Sequence, residues 1–76
     1  MSRLKNISGS ECIKILCNKF GFQIARQRGS HVVLKKITSE GIIGTVVPVH
    51  KELKLGTIKG ILELAKINEE DFIKEL

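Results

Sequence analysis

With 76 residues the chain is sized for one domain at most, near the limit at which a single core becomes marginal. An apolar fraction of 42% argues against wholesale disorder, and no apolar run approaches the roughly 20 residues that span a bilayer. The net charge of +5 is uneven: residues 1–68 carry 12 Lys/Arg against 4 Asp/Glu (+8), and residues 69–76 carry 1 Lys against 4 acids (−3).

The opening MSRLKNI lacks the long apolar segment of a signal peptide, so a cytoplasmic protein is expected, with residues 1–76 forming one domain. SGSECIKILCNKFGF then predicts a helix with both ends marked. Ser8 and Glu11 have the spacing of a capping box, in which each side chain satisfies a backbone donor at the other. Ile13, Leu16, Cys17 and Phe20 follow the i, i+3, i+4, i+7 pattern of one buried face, and Gly21 is placed to stop the helix in the left-handed conformation. Cys12 and Cys17 lie about 140° apart around this helix at ~3.6 residues per turn, so they are expected as buried thiols and not as a metal pair. With no Trp, no Tyr and 3 Phe, the core must be aliphatic.

Three strands are expected next: FQIARQ, SHVVLKKI and IIGTVVPV. TSEG joins the last two as a turn, and the RGS between the first two fixes which side chains share a face. A two-residue loop at Arg28 and Gly29 would pair Ile24 with Val33 and mix apolar residues between the faces. A three-residue loop with Gly29 left-handed pairs Ile24 with Leu34 and Arg26 with Val32. That register gathers Phe22, Ile24, Val32 and Leu34 on one face and puts Gln23, Ala25, Gln27, His31, Val33 and Lys35 on the other. It is the register expected, with His31 pointing away from the core. The third strand cannot be phased, because both of its parities are apolar. Pro48, which has no N–H to donate, belongs at a strand end or on an edge.

GTIKGILELAKI predicts a second amphipathic helix that buries Ile58, Ile61, Leu62 and Ala65. Gly56 or Thr57 is expected to cap it, and Gly60 weakens it by up to ~1 kcal/mol relative to Ala. NEEDFIKEL predicts a short helix capped by Asn68, with three acids in the first turn where the helix dipole favours them. The expected order is α-β-β-β-α with a terminal helical turn, an α+β fold. A three-stranded antiparallel meander has both long helices on one face and leaves His31 on the other.

The basic body points to a polyanionic partner, RNA or DNA being the usual one. The candidate chemistry rests on His31 and His50, since no carboxylate pair before residue 69 is spaced for metal binding; metal-assisted hydrolysis is disfavoured and no cofactor is expected. RNA is cut without metal when its own 2′-hydroxyl attacks the adjacent phosphorus. Histidine suits the proton transfers of that reaction. Arg26, Arg28 and Lys35 are close enough in sequence to stabilise phosphoryl charge, Gly29 permits close backbone approach to a phosphate, and Ser30 offers a hydroxyl. The residues alone leave two readings of His31 open, a working group or a polar residue at a strand start. In VHKELKLGTIKG, the cations Lys51, Lys54 and Lys59 surround a helix start whose free N–H groups face any anion placed there. They are suited to positioning a backbone, not to reading sequence. His50 either touches the same phosphate track or caps a strand end.

On SGSE, GF, RGSHVVL, VPVH and LKLGTIKGIL, the chain resembles the HicA (YcfA-like) mRNA-interferase toxins of toxin–antitoxin pairs. The resemblance spans almost the whole chain, and the G-S-H strand with the G-T-[IL]-x-x-I-L helix makes a fairly specific combination. It implies a fold like that of a double-stranded-RNA-binding domain, in agreement with the order derived above. It further implies a metal-independent ribonuclease that cuts mRNA, with His31 as the catalytic residue, and a HicB-type antitoxin that occludes the site. Gly60 departs slightly from the family pattern at a position with no proposed site role.

Two other classes compete. One is a non-catalytic RNA-binding module on the same basic surface. The other is a helix-turn-helix DNA reader, against which the acidic last helix would repel a phosphate backbone. A single histidine on the open sheet face favours catalysis, since binding alone needs none there.

Overall fold

The computed structural model of the chain describes residues 3–76. Helix α1 (Gly9–Lys19) leads into strands β1 (Gln23–Arg28), β2 (His31–Thr38) and β3 (Gly41–Pro48), followed by α2 (Leu55–Ala65) and a short α3 (Glu69–Ile73). The strands form one antiparallel sheet in the order β1-β2-β3, giving the expected α-β-β-β-α arrangement. Val32, Leu34, Thr45 and Val47 are buried on the face against which α1 and α2 pack. No described helix covers the opposite face.

Helix α1 begins as the sequence dictates. The Ser8 side chain accepts the Glu11 N–H at 3.0 Å, and Glu11 Oε1 accepts the Ser8 N–H at 3.1 Å, closing the capping box. Gly21 ends the helix region at φ +77°. The buried face is centred on Cys12 and Leu16, with Ile13, Cys17 and Phe20 only partly buried beside them. Burial pushes the Cys12 thiol up to about 12, so it stays protonated, whereas Cys17 is half-buried.

Gly9 has a packing role that the sequence does not advertise. Its N–H donates to the His50 carbonyl at 2.9 Å, and a Cβ there would collide with the Pro48 carbonyl and lie 2.9 Å from Val49 Cα. Gly9→Ala should therefore destabilise the protein despite alanine's better helix propensity. A net loss of about 1–2 kcal/mol is expected from the forced backbone shift, and each kcal/mol lowers the melting temperature of a domain this size by about 4–8 °C. An unchanged or raised melting temperature would show that the approach is not tight.

The β1–β2 register corrects the expected one in part. Ile24 pairs with Leu34 as expected, but Arg26 pairs with Val33, Gln27 with Val32 and Arg28 with His31. The hairpin loop is two residues, Gly29 and Ser30, not three. Gly29 has φ +58°, in the first central position that glycine takes in a type II′ turn. A bulge between Ile24 and Arg26 absorbs the extra residue, Ala25, so both the tight turn and the Ile24–Leu34 pair are kept. The bulge also moves Arg26 and Arg28 onto the face of His31. Ile24 points to the helix side yet is 58% exposed, because β1 lies beyond the reach of the helices and all six of its residues are exposed.

Strand β3 is phased by Thr45 and Val47, which face the core, while Ile42 and Val46 lie on the open face. Thr45 is buried because its hydroxyl has a partner: it donates to the Ile61 carbonyl of α2 at 2.9 Å. Pro48 ends the strand, opposite His31. The Val49 N–H donates to the Ser30 carbonyl at 2.6 Å, so by alternation the His31–Pro48 pair exchanges no hydrogen bonds and proline's missing N–H costs nothing.

Helix α2 buries Ile58, Ile61, Leu62 and Ala65, as expected. Its cap differs: Lys54 is the N-cap residue and makes no side-chain cap bond, while Gly56 and Thr57 lie in the first turn. Asn68 caps α3 through the Glu70 N–H at 2.8 Å, and Phe72 is fully buried. Leu4, Ile7 and Leu53 complete the core, and the Leu53 N–H donates to the Ile7 carbonyl at 2.8 Å.

Candidate functional site

Directly opposed residues in an antiparallel sheet project to the same face, so the ladder defines the open face position by position. From β1 it carries Gln23, Arg26 and Arg28; from β2, His31, Val33, Lys35 and Ile37; from β3, Ile42, Gly44, Val46 and Pro48. Every charged side chain in this set is cationic. Arg28 stands directly across from His31, and Arg26 and Lys35 flank Val33 on the same face. Lys36 points to the other side, its ammonium 5.9 Å from the centre of the Phe22 ring.

His31 is exposed and opens β2 immediately after the Gly29–Ser30 turn. Its imidazole makes no hydrogen bond or ion pair with another described residue. The two open-face arginines of β1 provide positive charge beside it, and Lys35 lies four residues further along β2 on the same face. Gln27 braces the turn, donating through Nε2 to the Gly29 carbonyl at 3.0 Å.

The second group of sequence-predicted residues meets the first at the end of the sheet. The Val49–Ser30 bond ties the chain after β3 to the turn before His31, and the Gly9–His50 bond ties the same stretch to the start of α1. His50 is exposed two residues beyond Pro48. Lys51 and Lys54 are exposed in the segment that leads into α2, and they make no ion pair among the described residues. Lys59 differs, because it lies in the second turn of α2 with Nζ 4.0 Å from Glu69 Oε2. The structure thus gathers His31, Arg26, Arg28, Gly29, Ser30 and Lys35 on one surface, with His50 at its margin and Lys51 and Lys54 beyond. Lys59 stands apart.

The residues that sequence reasoning missed are those that hold this end together. Gly9, Val49 and the buried Leu53 position the His50 segment, and nothing in the local sequence marks any of the three.

Among the described residues, no group of three His, Cys, Asp or Glu side chains is placed to hold a metal ion, and no helix is long and apolar enough to cross a membrane. A groove of about 530 Å³ lies elsewhere, lined by Arg3, Lys5, Lys14 and Lys19 among others, and none of the site residues borders it. The His31 surface is the open face of the sheet, and its charged side chains are cationic.

No curated protein matches the chain, and no solved structure does. A family model described as the HicA toxin of bacterial toxin–antitoxin systems matches residues 9–67, a span that runs from the first residue of α1 through α2 and takes in every residue of the cationic face. The chain belongs to the HicA toxin family, whose members act with an antitoxin partner.

Proposed function

We propose that this toxin is a metal-independent endoribonuclease that cuts mRNA, with His31 transferring a proton at the scissile phosphate. The observation that carries this reading is an exposed, unengaged histidine with an arginine directly across the strand pair, on a face whose charges are all positive. In that setting the 2′-hydroxyl attacks the adjacent phosphorus, and the protein moves protons and stabilises phosphoryl charge. Arg26, Arg28 and Lys35 supply the charge. Gly29 and Ser30 let the turn approach the backbone closely. His50, Lys51 and Lys54 extend the track toward α2, whose uncapped first turn offers free N–H groups to a phosphate, and Lys59 adds a weaker contact.

The test is incubation of the purified protein with RNA in EDTA, followed by analysis of the new ends. Products with 2′,3′-cyclic phosphate and 5′-hydroxyl termini are expected. Tight RNA binding with no cleavage would favour the alternative, a non-catalytic RNA-binding module.

A HicB-type antitoxin is the proposed partner, and the charge of the face suggests how it acts. Carboxylates presented to Arg28, His31 and Lys35 speed encounter and compete with RNA for the same cations. RNA and antitoxin should displace each other in a competition titration with the His31→Ala variant, which keeps the RNA intact. Simultaneous binding with unaltered affinities would rule out occlusion.

A further inference from the structure

The attacking 2′-oxygen and the departing 5′-oxygen lie on opposite sides of the phosphorus, so a single imidazole cannot serve both at once. We propose that His50 is the second proton-transfer group of the site, working on the far side of the same phosphodiester from His31. The inference rests on the ribonuclease reading above.

Its support is the ladder. His31 and Pro48 are opposed, and as a pair without mutual hydrogen bonds their Cα atoms stand about 4.5 Å apart. The Val49–Ser30 bond at 2.6 Å carries the pairing one residue further, so strand alternation returns His50 to Pro48's side, the face of His31. Two residues of rise at about 3.3 Å each put the two histidine Cα atoms about 8 Å apart. Two imidazoles at that spacing can flank one phosphate, each within hydrogen-bond reach of a reacting oxygen.

The position is also held. The His50 carbonyl accepts the Gly9 N–H at 2.9 Å, and Val49 is bonded to the turn that precedes His31, so both histidines ride on one hydrogen-bonded unit. The His50 side chain is exposed and makes no hydrogen bond or ion pair with a described residue. Its rivals are few. Arg26 and Arg28 do not give up a proton in proteins. Glu11 is occupied by the capping box, which leaves Glu52, exposed two residues on, as the nearest carboxylate in sequence.

The step balances without a co-reactant. A 2′-O–P bond forms and the P–O5′ bond breaks; one histidine takes the 2′-hydroxyl proton and the other gives a proton to O5′. The products are a 2′,3′-cyclic phosphate and a 5′-hydroxyl.

The experiment compares ordinary RNA with an oligonucleotide carrying sulfur in place of the bridging 5′-oxygen, a leaving group that departs without protonation. Wild type, His31→Ala, His50→Ala, His50→Gln and Glu52→Gln are assayed on both, with folding checked by thermal melting. Each histidine variant is expected to lose about 10²–10⁴-fold on ordinary RNA. On the sulfur substrate one histidine position should recover to within about tenfold of wild type, identifying the acid, while the other stays impaired; Glu52→Gln should match wild type on both. His50 variants within a few-fold of wild type on ordinary RNA would overturn the proposal. So would recovery at neither histidine, which reduces His50 to a phosphate contact, or the same loss-and-rescue pattern at Glu52. A folded wild-type protein that cleaves neither substrate would overturn the ribonuclease reading itself, and this inference with it.

Discussion

Replacing His31 with alanine is expected to leave the fold and RNA binding intact while lowering cleavage by about 10²–10⁴-fold, the usual worth of one general acid–base group. The stability half of this expectation follows from exposure. The imidazole is exposed and gives up no hydrogen bond or ion pair with a described residue on removal, and surface substitutions of that kind usually stay within about 0.5 kcal/mol. The activity half follows from the cross-strand pair, since Arg28 and the neighbouring cations remain to hold RNA when the proton carrier is gone. Two measurements on the same variant separate the readings. Cleavage within a few-fold of wild type would assign the chemistry to another residue, and a large drop in melting temperature would make His31 a structural residue.

The second large effect is expected from the lysines that follow β3. Lys51→Gln and Lys54→Gln should each weaken RNA binding similarly across sequences, because a lysine on a phosphate positions the backbone without reading bases. Each should also reduce the slope of log affinity against log salt by about 0.7, the value per contact for a single strand. Adding Lys59→Gln should reduce it by less, since the Lys59 ammonium is already 4.0 Å from a Glu69 carboxylate. That exposed ion pair contributes little to stability, so the triple variant should melt close to wild type. The measurement is a salt titration of RNA binding in the His31→Ala background. A triple variant with unchanged affinity and slope would mean that RNA runs elsewhere.

The parts of the structure legible in the sequence are those encoded by local chemistry. Ser8 and Glu11 announce α1, Gly21 and Gly41 take the positive φ their turns need, and Asn68 starts α3. The phase of β3 is not local. Ile42, Ile43, Val46 and Val47 fit either face, and what decides is the Thr45 hydroxyl reaching the Ile61 carbonyl, a partner 16 residues away. The bulge at Ala25 was equally hidden, because alanine has no turn chemistry to mark it; it exists to reconcile a tight turn with the Ile24–Leu34 pair. The candidate site shared this fate. His31, Gly29 and Ser30 were visible as a motif, whereas the placement of Arg26 and Arg28 beside His31 depended on the bulge, and that of His50 on a long-range bond to Gly9.

The exposed position of β1 has a consequence for the toxin as a free chain. A bare edge strand presents a row of unpaired N–H and C=O groups, on which a second copy of the same sheet can grow. Strand β3 is guarded at its last residues, where the chain beyond Pro48 gives the His50 carbonyl to Gly9 at the start of α1. Strand β1 has no such cover among the described residues and is guarded by its own residues. The extra residue at Ala25 breaks the spacing that a straight neighbour would have to match, and Arg26 and Arg28 bring like charges together whenever two such edges approach. The bulge that reconciles a tight turn with the Ile24–Leu34 pair thus also makes β1 a poor template for edge-to-edge pairing.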